Sequence, residues 1–211
     1  DWRVIGVDGG LLAEPYDPGA REALPVGARL DLEIIPHRDA SQVVLNMDIP
    51  GSGAGKDSYP MFTATVEGEE GDYQQLDWPA VEVPSQKELQ QQIDLTLNGV
   101  AGETTIEWTV NGAQYGDHEP ILAQGGVPTW IDLRDKSGAE HPFHLHGNFF
   151  EIVERNGQPA GQPGLRDTVL VGGDDELLLY TELSNPGRWM AHCHILEHAE
   201  LGMMTELIVE E

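Results

Sequence analysis

Apolar and polar residues alternate with period two in short runs along most of this chain, and no long stretch carries helical periodicity. In Val43-Val44-Leu45-Asn46-Met47-Asp48-Ile49 the apolar side chains at 43, 45, 47 and 49 fall on one face, with Asn46 and Asp48 on the other. Ile106-Glu107-Trp108-Thr109-Val110 repeats the alternation. Further strands are expected at 30–35, 61–66, 92–97, 129–133, 149–154, 168–171, 177–181, 189–193 and 204–209. Asn98-Gly99, Asn111-Gly112 and Asn156-Gly157 read as turns, because both residue types tolerate positive φ. Only two short helices are expected, at 85–91 and 195–200. The pattern predicts an all-β protein.

The alternation breaks between about 67 and 86, where Gly-Glu-Glu-Gly-Asp and two prolines intervene. This divides the chain into 1–67, a linker at 68–86, and 87–211. The first part has three or four expected strands, too few for a sandwich, whereas the last has seven or eight, enough for a complete one.

Composition narrows the functional classes. The 211 residues carry 37 Asp+Glu against 11 Lys+Arg, a formal charge of −26, which excludes nucleic acid as a default partner. An acidic, Lys-poor surface suits a high-salt milieu, but an ordinary solvated surface is the simpler and preferred account. With 39% hydrophobic residues and a mean hydropathy of −0.34, the chain reads as globular. No apolar run approaches the roughly 18–20 residues that a membrane span needs. The start, Asp1-Trp2-Arg3-Val4, shows neither an initiator Met nor a signal pattern, which predicts sequence upstream.

Chemistry concentrates in two clusters. His141-Pro142-Phe143-His144-Leu145-His146-Gly147 and His192-Cys193-His194-Ile195-Leu196-Glu197-His198, followed by Met203, hold six of the eight histidines and the only cysteine. His37 and His118 stand apart and read as ordinary residues. In an extended segment the Cys193 thiol faces one way and the imidazoles of His192 and His194 the other, so one metal cannot readily take all three. His144 and His146 share a face, and His141 has opposite parity, subject to local distortion by Pro142. This predicts two back-to-back sites: His141 and Cys193 on one side, and His144, His146, His192 and His194 on the other. A turn or short helix can fold His198 and Met203 back toward Cys193. Two imidazoles, a thiolate and a weak thioether suit a blue copper centre. Zinc competes for such ligands, but more usually takes four strong donors with C-x-x-C pairs, absent here.

These motifs resemble the C-terminal copper motifs of the laccase-like multicopper oxidases, over roughly residues 85–211. More weakly, Val4-Ile5-Gly6-Val7-Asp8-Gly9-Gly10 with Leu24-Pro25-Val26-Gly27-Ala28-Arg29-Leu30-Asp31 resembles the latter half of that family's middle domain. The resemblance implies a cupredoxin-like Greek-key β-sandwich or barrel, with a partial second cupredoxin domain at the N-terminus. It implies type 1 copper at His141, Cys193 and His198, with Met203 axial and Met204 the alternative. It further implies type 2 copper at His144, and the type 3 pair at His146, His192 and His194.

The implied reaction takes electrons from a small reducing substrate at type 1 copper. They pass through Cys193, His192 and His194 to a trinuclear cluster that reduces dioxygen to water. That cluster takes eight histidines in this family, and the second set of His-x-His pairs is absent from this sequence. The chain is therefore expected to be a C-terminal portion that needs an N-terminal cupredoxin domain and is inactive alone. The alternative is an electron-transfer or copper-binding module without turnover. Family habit implies a periplasmic or secreted location. Glu197 and Glu200 flank His198 and are candidates for donor docking, or plain solvated acids. Asp167 is a candidate for orienting a ligand histidine, or a turn residue.

Overall fold

The structure, a computed structural model, describes residues 1–49, 57–68, 88–103 and 105–211. Five strands precede the break: β1 (Trp2–Val7), β2 (Gly10–Tyr16), β3 (Leu30–Ile34), β4 (Gln42–Ile49) and β5 (Asp57–Thr65). They form a three-stranded sheet, β2-β1-β3, and a β4-β5 hairpin. Val4, Val7 and Leu12 form a small core on the three-stranded sheet, with Tyr16, Leu30 and Leu32 packed against it. The expected linker lies almost wholly outside the described residues, as does the start of the expected helix at 85–91; residues 88–90 are not helical, and Gln91 already begins a strand.

The remaining elements are β6 (Gln91–Ala101), β7 (Ile106–Val110), β8 (Ile121–Gln124), β9 (Thr129–Asp135), β10 (His141–Leu145), β11 (Glu151–Arg155), β12 (Gln158–Pro159), β13 (Thr168–Val171), β14 (Glu176–Thr181), β15 (Gly187–Cys193), α1 (Leu196–Glu200) and β16 (Met204–Glu210). Two sheets, β13-β10-β15-β16-β8 and β12-β11-β14-β9-β6-β7, make the sandwich. Alternation is visible in burial. Ile93, Leu95 and Leu97 of β6 point inward, as do Thr129, Ile131, Leu133 and Asp135 of β9. These meet Phe143, Leu145, Val169, Val171, Leu177 and Leu179 in one apolar core.

Asn111-Gly112 and Asn156-Gly157 are turns with both residues at positive φ, as the sequence predicts. Asn98-Gly99 is not: both residues sit inside β6, paired with Thr109 and Trp108 of β7. A Cβ at Gly99 would lie 2.8 Å from the Trp108 ring, so this glycine makes room for an indole across the strands.

Candidate metal centre

Register between β10 and β15 assembles the two histidine clusters. Phe143 pairs with Cys193, His144 with His192, and Leu145 with Ala191. Beyond the paired strands, His194 N donates to Pro142 O (2.7 Å) and His146 N to Met190 O (2.9 Å), extending the ladder at both ends. His144, His146, His192 and His194 therefore project from one face, and Cys193 projects inward beside Phe143. Pro142 sits within a regularly paired strand, its partner in β13 being Leu170, so the parity of His141 is undistorted.

Inward, the chain gathers a thiol and two imidazoles. After His194 the backbone turns, and Ile195 N–H points at Cys193 Sγ (3.4 Å). One turn of helix, α1, then carries His198 back over the sulfur. The Nδ1 atoms of His141 and His198 lie 3.6 and 3.7 Å from Sγ and 3.1 Å from each other. Met203 is fully buried, and its backbone bonds to both ligand segments: Cys193 N donates to Met203 O, and Met203 N to His198 O.

The protonation pattern leaves His141 Nδ1 free to bind. The Ser137 Oγ (2.6 Å) and the buried Asp135 carboxylate (3.6 Å) lie at His141 Nε2, which assigns the ring proton there and leaves the Nδ1 lone pair facing the sulfur. Burial lowers the His141 pKa to about 4, with His198 acting in the same direction and Asp135 partly opposing it. Burial lowers His198 as well. Burial also pushes the Cys193 thiol up to about 11, so it is protonated until something replaces the proton. Trp108 covers the group, stacked on His198 (centroids 4.0 Å) and edge-on to His141 (5.2 Å).

On the opposite face the ring centroids of His144 lie 4.8 Å from His146 and 5.5 Å from both His192 and His194. His146 Nε2 and His192 Nε2 approach to 2.9 Å. His192 Nδ1 donates to Cys193 O (2.8 Å), and His144 Nδ1 faces Thr168 Oγ1 (3.0 Å) and Asp167 O (3.1 Å). Both rings thus keep Nε2 as a lone-pair donor. His194 Nδ1 is buried with no hydrogen-bond partner among the described residues. Burial lowers the pKa of His146 and His192, and repulsion among the neighbouring histidines adds to it.

Both groups fit metal binding. Donors about 2.0–2.1 Å (nitrogen) and about 2.3 Å (sulfur) from one trigonal ion would lie about 3.5 Å (N–N) and about 3.8 Å (N–S) apart, near the spacings above. In the second group His144, His146 and His192 turn ring nitrogens to one place, within 4.8 Å of one another. His194 lies outside that set, its ring 5.5 Å from His144 and its buried Nδ1 unsatisfied, a costly arrangement without a partner. His37 and His118 lie in neither group. Glu197 and Glu200 are exposed beside His198, and Asp167 lies against His144, with Oδ1 3.4 Å from Nδ1.

Sequence reasoning overlooked Asp135, Ser137 and Trp108. A signal for Asp135 existed: an acid at the parity of Thr129, Ile131 and Leu133 is placed on the buried face of its strand and needs a partner there.

A family model described as multicopper oxidase matches residues 83–211. The multicopper oxidase MmcO of Mycobacterium tuberculosis is 30% identical over 115 residues, covering 54% of this chain and 22% of that protein. A laccase of Haloferax volcanii is 34% identical over 125 residues, covering 56% and 21%. The crystal structure of the McoA multicopper oxidase from the hyperthermophile Aquifex aeolicus superposes with a TM-score of 0.80 at 27% identity, covering all of this chain and 50% of that one. The chain thus spans about a fifth of those two relatives' length and half of that structure's. It has the cupredoxin fold and, on the family match over its C-terminal sandwich, it belongs to the multicopper oxidase family.

Proposed function

We propose that this chain is the electron-accepting and electron-relaying portion of a laccase-like oxidase. In this reading His141, Cys193 and His198 would hold a type 1 copper with Met203 as a further, weak ligand, His144 would hold a type 2 copper, and His146, His192 and His194 would hold their share of a type 3 pair. When bound, copper supplies one-electron oxidation of a small donor (a phenol, an aromatic amine or a metal ion) and four-electron reduction of dioxygen to water. The single observation that carries the reading is the placement of Cys193: its sulfur belongs to one donor group, while the imidazoles of its two peptide neighbours lie on the opposite face, His192 within the other donor group and His194 beside it.

The protein's own groups prepare this chemistry. Cys193 would hold copper as a thiolate, which the Ile195 N–H is placed to support. Asp135 and Ser137 hold His141 in its ligand tautomer. Trp108 keeps water from the inner group. The His192 Nδ1–H bond to Cys193 O adds a direct link between sulfur-bearing residue and outer histidine.

Four imidazoles do not complete an eight-histidine cluster, so the reading requires two His-x-His pairs from an N-terminal cupredoxin domain outside this sequence. Residues 1–67 are read as the latter half of a middle domain, 68–86 as a linker and 87–211 as the C-terminal domain. Side chains such as Met47, Ile49, Met61 and Phe62, exposed on the β4-β5 hairpin, suit a surface that more chain would cover. A periplasmic or secreted location is part of the same proposal; among the described residues no helix is long and apolar enough to cross a membrane.

Copper quantitation with optical and paramagnetic resonance spectra of the full-length protein tests it. About four coppers with donor-dependent oxygen uptake is the expected result. A single blue copper without oxygen uptake would instead assign an electron-transfer module.

A further inference from the structure

The outer histidine group is braced from the N-terminal sheet. Arg29, which precedes β3, forms a two-pronged ion pair with Asp167: Nη1 to Oδ1 and Nη2 to Oδ2, each 2.7 Å. Thr168 Oγ1 donates to Asp167 Oδ1 (2.8 Å), which leaves its lone pairs for the Nδ1–H of His144 at 3.0 Å. A guanidinium, a carboxylate, a hydroxyl and an imidazole thus stand in line, and the last aims Nε2 into the histidine group. The arginine is itself fixed: Asp8 Oδ1 accepts from Arg29 N (2.7 Å), and Arg29 Nη2 donates to Asp8 O (2.9 Å). The other oxygen of the fully buried Asp8 side chain accepts from the backbone N–H of Asp167 and of Thr168, both at 3.2 Å.

The same loop touches a second histidine. Arg29 Nη1 donates to Gly27 O (3.2 Å), and Gly27 lies against the imidazole of His194 so closely that a Cβ there would be 2.6 Å from Cδ2. Gly27 has φ +93°, so backbone conformation and contact both call for glycine.

We propose that Arg29, held by Asp8, is a positioning residue for the outer metal group. It fixes the tautomer and aim of His144 through Asp167 and Thr168, while Gly27 seats His194. The outer group is therefore built by two chain segments: the C-terminal sandwich supplies the ligands, and the N-terminal sheet sets their orientation. Among the described residues, no hydrogen bond or ion pair of this kind reaches the inner group at Cys193 from residues 1–67. Loss of the brace should therefore act on one group and spare the other. This inference rests on the copper assignment proposed above.

The test uses the copper-loaded full-length protein and the variants Arg29→Ala and Arg29→Lys, titrated with a copper chelator. The visible thiolate–copper absorption reports the inner group, and the type 2 paramagnetic resonance signal reports His144. For Arg29→Ala the expected result is unchanged visible absorption with the type 2 signal lost at about 10- to 100-fold lower chelator concentration. Arg29→Lys, which keeps the charge but loses the fork, should recover part of the difference. Wild-type chelator resistance of both signals in Arg29→Ala, or their joint loss, would overturn the positioning role while leaving the oxidase reading standing. A wild-type protein lacking any type 2 signal would overturn both.

Discussion

Cys193 shows how burial sets chemistry at the scale of one residue. The thiol is fully enclosed, and with a pKa near 11 it is a small neutral core group unless a cation displaces its proton. His141 is the complementary case, because burial keeps it neutral and thus a lone-pair donor down to about pH 4. The sign of the linkage follows. Above about pH 6.5 neither the folded nor the unfolded chain protonates this ring; between 6.5 and 4 only the unfolded chain does, so stability falls as pH falls through that window. For copper-free protein the shift from 6.5 to about 4 bounds the loss at about 3 kcal/mol, and denaturant unfolding at pH 7 and pH 4.5 should show a flatter dependence in His141→Gln. Trp108 carries a different load. Trp108→Ala should cost about 3–5 kcal/mol in the same assay and open the His198 side of the inner group to water, whereas Trp108→Phe should keep most of the stability.

At the scale of elements, parity along β15 and register between β10 and β15 do most of the work. The alternation of His192, Cys193 and His194 was legible from the sequence because extended backbone leaves a side chain only two directions. The same holds for His141 against His144 and His146. Three features were not legible, each for a physical reason. Asn98-Gly99 reads locally as a turn, but a tertiary contact with Trp108 put it in a strand interior. β1 and β2 lack clean alternation because Gly6, Gly9 and Gly10 interrupt it, and β8 is too short to announce itself. The brace on the outer histidines depends on Asp8, Gly27 and Arg29, far from the motif in sequence and close only once the chain has folded.

The short element after the motif makes a prediction at this scale. α1 is only about one turn long, and its cap, Leu201, is followed by Gly202, whose φ is +113° and where a Cβ would lie 2.6 Å from Trp108 O. Leu201 O accepts from Trp108 N and from the Gln114 amide, and Gly202 O from Tyr115 N, so the β7 region clamps the turn that delivers His198 and Met203. Gly202→Ala should destabilise the fold by about 1–3 kcal/mol. It should also broaden the visible copper absorption, which thermal melts and optical spectra of copper-loaded protein will check.

For the whole molecule, a formal charge of −26 spreads mutual repulsion over a small surface. Described ion pairs such as Arg29 with Asp167 and Arg155 with Asp175 use several of the few cations to hold structure, leaving most acids unbalanced. Raising sodium chloride from about 0.01 M to about 1 M shortens the screening length from about 30 Å to about 3 Å. The melting temperature should therefore rise with salt, and an unchanged or falling value would show that repulsion is not limiting.

The central claim concerns how that molecule is wired: one buried sulfur separates an inner metal position from an outer one. Crystallographic anomalous scattering at the copper absorption edge on the copper-loaded full-length protein tests it most directly. The account predicts one peak among His141, Cys193 and His198 and separate peaks beside His144, His146, His192 and His194. A single peak bound jointly by Cys193, His192 and His194 would contradict it.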